Sequence, residues 1–243
     1  MSKRLPKLLV IVGPTASGKT ALSIELAKQF NGEVINADSR QFYKGMDIGT
    51  AKISKEEMEG IPHHLLDFLN PDEDYNVALY QKDCFKVIED IQKRGKLPIL
   101  VGGTGLYISS IIENYQFDSE EPSTGPQLYD YLLIQPTYDR DELYEKINAR
   151  QLIMMNAGLD EEVQKLSKQY GWETPAMTGI GYRQFKNYFK GDKSREEVIS
   201  ELQQANRNYA KRQITWFNRY VDEIHSVSEI SDASKVVSDW LAK

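Results

Sequence analysis

The sequence predicts an α/β fold, a parallel sheet flanked by helices, followed by a helical C-terminal half. Three observations carry that expectation. Short continuous apolar runs recur in the first third of the chain, as in strands buried on both faces. Stretches with helical spacing of apolar residues lie between them. The first apolar run ends in a Gly-rich turn, residues 13–18, that opens one of those helical stretches.

The elements follow in order. Residues 8–12, Leu-Leu-Val-Ile-Val, read as a buried strand. Residues 20–30 read as a helix with Leu22, Leu26 and Phe30 on one face. Residues 33–36 are a second strand. From 76 to 94, Val77, Tyr80, Cys84, Val87, Ile88 and Ile91 keep helical spacing, and Gly95 supplies the stop. Residues 98–101 are a further buried strand ending at Gly102-Gly103. The polar stretch 118–126, Asp-Ser-Glu-Glu-Pro-Ser-Thr-Gly-Pro, reads as a linker. A strand over 131–134 precedes a helix over 139–157. A second helix spans 194 to about 220, and Ser194 with Glu197 three residues on forms a capping box at its start. The tail holds an edge strand and a final short helix. The chain is expected to fold as a single catalytic domain over 1–243.

Composition narrows the function. The chain has 243 residues, 40% hydrophobic and 27% charged, which fits a globular domain with a full core. Its longest early apolar run is too short for a signal h-region or a membrane span, so no membrane partner is expected. Cys84 is the one cysteine, which excludes an internal disulfide and a cysteine zinc site. His63, His64 and His225 match no usual zinc spacing, and the adjacent pair His63 and His64 is expected to be structural. A reducing, cytoplasmic setting and a monomer are the expectations. The net charge of −6 argues against nucleic acid only until it is divided. Residues 179–219 hold nine Lys+Arg against four Asp+Glu, a local excess of +5. Tyr182, Phe185, Tyr188, Tyr209, Trp216 and Phe217 lie among those charges, a mixture suited to a phosphate backbone with extruded bases. It also fits a solvated face over a buried aromatic stripe.

Gly13-Pro14-Thr15-Ala16-Ser17-Gly18-Lys19-Thr20 fits G-x-x-x-x-G-K-[ST] throughout, after a strand and before a helix. This makes the fold P-loop NTPase-like. The glycines let backbone N–H groups turn inward around phosphate oxygens, and the helix N-terminus adds partial positive charge. Lys19 can reach the terminal phosphate and Thr20 can ligate Mg2+. Asp38 follows the second strand, at the end of the sheet that the P-loop shares. A carboxylate there can ligate Mg2+ or act as general base, though on spacing alone a turn or N-cap role is the better reading. Ser39 and Gln41 offer polar groups for a base edge or ribose. Arg150 falls in the apolar stripe of Leu143, Ile147 and Met154, where an unpaired charge is costly. It needs a phosphate in the P-loop crevice, or else it pairs with an internal carboxylate or snorkels from the helix edge, and spacing leaves the functional and structural readings even.

Further blocks bear on these alternatives. Asp38-Ser39-Arg40-Gln41-Phe42-Tyr43 is followed by Met46-Asp47-Ile48-Gly49-Thr50-Ala51-Lys52 and Pro62-His63-His64-Leu65. Gly102-Gly103-Thr104-Gly105-Leu106-Tyr107, Gly181-Tyr182-Arg183-Gln184 and the run from Ala210 to Phe217 come later. With the P-loop, the set resembles the tRNA dimethylallyltransferase family over residues 8 to about 220. The resemblance implies transfer of a dimethylallyl group from dimethylallyl diphosphate to N6 of adenosine 37 in the tRNA anticodon stem-loop. It implies Asp38 as the base, Thr104 at the bridging oxygen of the diphosphate, and Arg150 on the leaving group. The P-loop, residues Gly13 to Thr20, would hold the diphosphate with Mg2+ at Thr20. Asp38, Ser39, Arg40, Gln41, Thr104, Arg183, Lys211 and Arg212 would face the tRNA. Phe42 and Tyr43 are candidates to line the channel for the extruded base.

The family usually inserts a helical tRNA-gripping domain where this chain has only 118–126. That keeps two alternatives open: an adenylate dimethylallyltransferase acting on free nucleotides, and, more distantly, a P-loop nucleotide kinase. A non-catalytic RNA-binding relic is opposed by the intact Lys19, Asp38, Thr104 and Arg150.

Overall fold

The structure, a computed structural model, describes residues 4–117 and 123–243. In chain order, β1 (Lys7–Ile11) leads into α1 (Lys19–Gln29), β2 (Gly32–Asn36) and the short strand β3 (His63–His64). Next come α2 (Val77–Lys93), β4 (Leu97–Val101) and α3 (Gly105–Ile112). A hairpin of β5 (Tyr115–Gln116) and β6 (Ser123–Thr124) precedes β7 (Asp130–Pro136), α4 (Arg140–Asn156), α5 (Leu159–Tyr170) and the single turn α6 (Phe185–Tyr188). The long α7 (Arg195–Phe217), β8 (Ile224–Val227) and α8 (Ile230–Leu241) complete the chain.

Six strands form one sheet in the order β3-β2-β4-β1-β7-β8, parallel at each pairing. The continuous apolar runs are explained by their two covered faces. Leu8 and Val10 of β1 pack with Ile35, Leu100 and Leu133 toward α2, α3 and α7. Leu9 and Ile11 pack with Val34, Ile99, Leu132 and Ile134 toward α1 and α8. Alternation of side chains along a strand thus feeds two cores, each residue contributing roughly 1.5–3 kcal/mol by leaving water.

The helix starts are set locally. Asn76 caps α2 by accepting from the Leu79 N–H, and Asp139 caps α4 by accepting from Asp141 and Glu142. Ser194 and Glu197 form the reciprocal box predicted for α7. Gly95 turns out of α2 at φ +70°.

At the end of β2 away from the P-loop, the buried side chain of Glu33 meets Arg94, Lys96 and His64. Arg94 grips both its oxygens at 2.5 and 2.7 Å, and Lys96 and His64 each lie at 2.7 Å. The Arg94 guanidinium holds this carboxyl well below the usual range, with Lys96 and His64 adding to it. His64 therefore has the structural role expected of it.

Several expectations change. The linker does not run through 118–126: Ser123 and Thr124 pair antiparallel with Gln116 and Tyr115, while 118–122 lie outside the described residues. Phe42 and Tyr43 line no channel; they are 1% and 3% exposed, and Phe42 stacks on Tyr80 and Tyr107 in the core. Tyr182, Phe185 and Phe217 are likewise core residues, so the aromatic stripe under the basic segment is largely packing. Strand β3, helix α3 and helix α5 carry no sequence signal that singled them out.

Candidate active site

The P-loop leaves β1 and closes onto α1. Gly13, Ala16 and Gly18 take positive φ values of 138°, 65° and 91°, which turn successive N–H groups toward a common concavity. Gly18 is the N-cap of α1 and offers no side chain to its first turn, so those N–H groups stay available to an anion. The Ser17 hydroxyl is buried with no partner. Lys19 folds back to donate to the Pro14 carbonyl at 2.6 Å. Burial pulls its pKa down to about 8, against the opposing pull of Asp38.

Asp38 lies two residues beyond β2. Asn36 holds its backbone, accepting from the Asp38 N–H at 3.1 Å and donating to the Asp38 and Leu65 carbonyls. One carboxylate oxygen, Oδ1, accepts from the Arg40 N–H at 2.9 Å. The turn role is therefore real, yet Oδ2 has no protein partner among the described residues. Thr104, after β4, accepts from the Ser39 N–H at 3.1 Å and donates its own N–H to the Ala37 carbonyl. The close approach of these two strand ends requires Gly102, whose added Cβ would sit 2.3 Å from the Ala37 oxygen.

Arg150 reaches across from α4 to donate to the Thr15 hydroxyl at 3.4 Å. Among the described residues it forms no ion pair, so the internal-carboxylate alternative is not what holds it. Burial lowers its pKa, with Asp38 and Glu57 opposing at longer range.

Two cavities meet at these groups. One of about 730 Å³ runs along Ala16–Thr20 and includes Gln41. The other, of about 310 Å³, is bordered by Ser39, Arg40, Tyr209, Arg183 and Arg212. Thr15, Asp38, Thr50 and Arg150 line both. Asp38 thus stands at the junction of a phosphate-binding space and a basic, aromatic-edged one.

Other expected residues are placed less directly. Gly13 and Pro14 shape the loop without lining either cavity. Thr104 sits behind Ser39 rather than on a cavity wall. Gln41 spends its amide on the Thr50 and Ala51 carbonyls, and Arg40 donates to the Pro175 carbonyl. Arg212 lies over the Tyr209 ring. Lys211, exposed on α7, lines neither cavity and is not brought to the junction. Arg140, at the start of α4, lies over the Tyr144 ring.

Two contributors escaped sequence reasoning, and a third, Tyr209, was named only as one aromatic among the basic residues. Tyr209 keeps the period of a core residue, yet it edges the second cavity, where burial and the Asp38 charge push its phenol up. Glu162 accepts from the N–H groups of Asp47, Ile48 and Gly49 and from the Tyr182 hydroxyl, pinning the segment that supplies Thr50. Gln213 is buried between the P-loop and the loop after β4. The shared neighbours are far apart in sequence, so only the fold could reveal them.

The Lys19 pKa has a measurable consequence. Its protonated form binds anions, so affinity for inorganic diphosphate should hold steady below pH 8. It should fall up to about tenfold per pH unit above that, until binding itself raises the pKa. Calorimetry from pH 7 to 9.5 on the wild type and Lys19→Met separates this from titration of the ligand. Parallel curves would remove Lys19 from the contact.

The profile of the family described as IPP transferase matches residues 41–131 and 116–220. The two matches overlap at the β5–β6 hairpin and its flanks. A tRNA dimethylallyltransferase from Macrococcus caseolyticus is 40% identical over 291 aligned positions, covering 94% of this chain and 93% of that protein. Because this chain has 243 residues, about sixty of those positions face no residue here. A tRNA delta(2)-isopentenylpyrophosphate transferase from Staphylococcus epidermidis superposes with TM-score 0.88 at 36% identity, covering 98% of this chain and 100% of that one. The full-length tRNA isopentenylpyrophosphate transferase from Bacillus halodurans gives TM-score 0.91 at 34% identity, covering 97% of each.

Proposed function

Since the chain belongs to the IPP transferase family, we propose that it transfers a dimethylallyl group from dimethylallyl diphosphate to N6 of adenosine 37 in tRNA, releasing diphosphate. The observation that carries this reading is the meeting of two chemically different cavities at Asp38. The P-loop side suits a diphosphate. The Arg183, Arg212 and Tyr209 side suits a nucleotide lifted out of its stack.

The adenine N6 lone pair is delocalised into the ring, so the amine is a weak nucleophile. The site must align it with the allylic carbon, remove a proton and stabilise the departing charge. The N6–C1 bond forms as the C1–O bond breaks, and that electron pair leaves on the diphosphate. The free Oδ2 of Asp38 takes the N6 proton, while its Oδ1 stays in the turn that orients it. The P-loop N–H groups, Lys19 and Arg150 face the diphosphate, while Thr104, behind Ser39, is assigned to its bridging oxygen by the family resemblance alone.

A magnesium ion fits this donor set. Thr20 opens on the larger cavity, and the Ser17 hydroxyl nearby is unpaired among the described residues. That matches an ion held by one or two protein oxygens, phosphates and water. Thr20 would hold it, and it would supply charge neutralisation of the diphosphate.

The chain is short where relatives carry more. We place the missing positions at the hairpin that joins β5 and β6, where the two family matches overlap. The grip on tRNA then rests on the second cavity and its basic rim.

The decisive experiment offers labelled dimethylallyl diphosphate with unmodified tRNA or with AMP, and locates the label. Label on a tRNA adenosine is expected. Transfer to AMP alone, or a phosphate ester formed from ATP, would overturn the reading.

A further inference from the structure

We propose that Gln213 is a positioning residue that sets the spacing between the P-loop and the Thr104 loop, and so the alignment of the leaving group. Its carboxamide is buried, with the residue 4% exposed. Oε1 accepts from the Thr15 N–H at 2.8 Å, and Nε2 donates to the Gly103 carbonyl at 2.9 Å. The amide orientation is determined by its partners, because a backbone N–H only donates and a carbonyl only accepts. One planar group of fixed length therefore joins two loops that are 198 and 110 residues away from it in sequence.

What those loops carry gives the tie its meaning. Thr15 receives the Arg150 guanidinium, and Gly103 immediately precedes Thr104. The two loops thus present two of the groups assigned to the leaving diphosphate. Helix α7 does not need Gln213 to attach itself. One turn later Trp216 donates to the Ser109 hydroxyl at 3.1 Å, and Tyr220 meets the same hydroxyl at 2.6 Å. The backbone at Gly103 has moved close around the amide: a Cβ there would lie 2.0 Å from Nε2. Gln213 is anchored by its neighbours and connects the two loops.

The consequence is a loss in rate rather than in ground-state binding. Each loop still holds its share of the diphosphate, but the bridging oxygen loses its register with the groups that stabilise it. The proposal rests on the transferase reading above, and its test separates the two. Single-turnover transfer to tRNA is measured for wild type, Gln213→Ala and Gln213→Glu, normalised to the folded fraction from inorganic diphosphate binding. The alanine variant should lose about 10²-fold in rate, with dimethylallyl diphosphate affinity within about threefold of wild type. Gln213→Glu keeps the size. Its ionised form cannot donate to Gly103, whereas its protonated form can donate and accept as the amide does. Its rate relative to wild type should therefore rise as the pH falls, a response that packing alone would not produce. Wild-type rates in both variants, or a Gln213→Glu profile parallel to wild type, would overturn the proposal. Absence of transfer by the wild type would instead overturn the transferase reading.

Discussion

Replacing Asp38 by Asn should cut the single-turnover rate of prenyl transfer by about 10²- to 10⁴-fold, the range expected for losing a positioned general base. Asparagine is the cleaner substitution. It keeps an Oδ1 for the Arg40 N–H at 2.9 Å, so the turn survives and only the free basic oxygen is lost. Asp38→Ala removes both and should be no more active. Diphosphate affinity should stay the same or tighten in either variant, because a negative charge that faces Lys19 and Arg150 has gone. Turnover near wild type in Asp38→Asn would remove Asp38 as the base. Weakened diphosphate binding would show that the carboxylate matters to the loop itself.

Arg150→Ala carries the next largest expected effect, about 10²- to 10³-fold in rate, as for removal of one preorganised donor facing developing charge. Stability supplies the control. The guanidinium has no carboxylate partner among the described residues and costs free energy to bury without its anion. The melting temperature of the unliganded variant should therefore equal or exceed that of wild type. An arginine kept for folding would show the reverse, a lower melting temperature with the rate per folded molecule unchanged. Arg150→Lys should recover only part of the loss, since an ammonium cannot contact two phosphate oxygens in parallel.

The two substitutions probe one arrangement from opposite sides. Asp38 belongs to the end of β2 and Arg150 to α4, yet both border the phosphate space and the basic space. On the proposed reading, a base at that junction would reach the incoming amine and a cation there the departing oxygen. The segment pinned by Glu162 adds Thr50 to the same junction.

The sequence by itself determined the features that depend on near neighbours in the chain. The strand runs at β1, β2, β4 and β7, the P-loop, and the Ser194–Glu197 capping box were legible because their physics operates within a few residues. Asp38 could be placed at the active end of the sheet because parallel strands share their carboxyl ends. Tertiary structure decided the rest. Whether Arg150 faces an anion or a carboxylate depends on what lies across the crevice, and helical period reports only which side of α4 it occupies. Tyr182, Phe185 and Phe217 lay in a stretch with the composition of a nucleic-acid face but went to the core, while Tyr209, with the period of a core residue, borders the basic cavity. Gln213 connects loops more than a hundred residues distant. No local pattern encodes that pairing, because a side-chain amide finds its partners only after the sheet has brought the P-loop and the Thr104 loop to the same end.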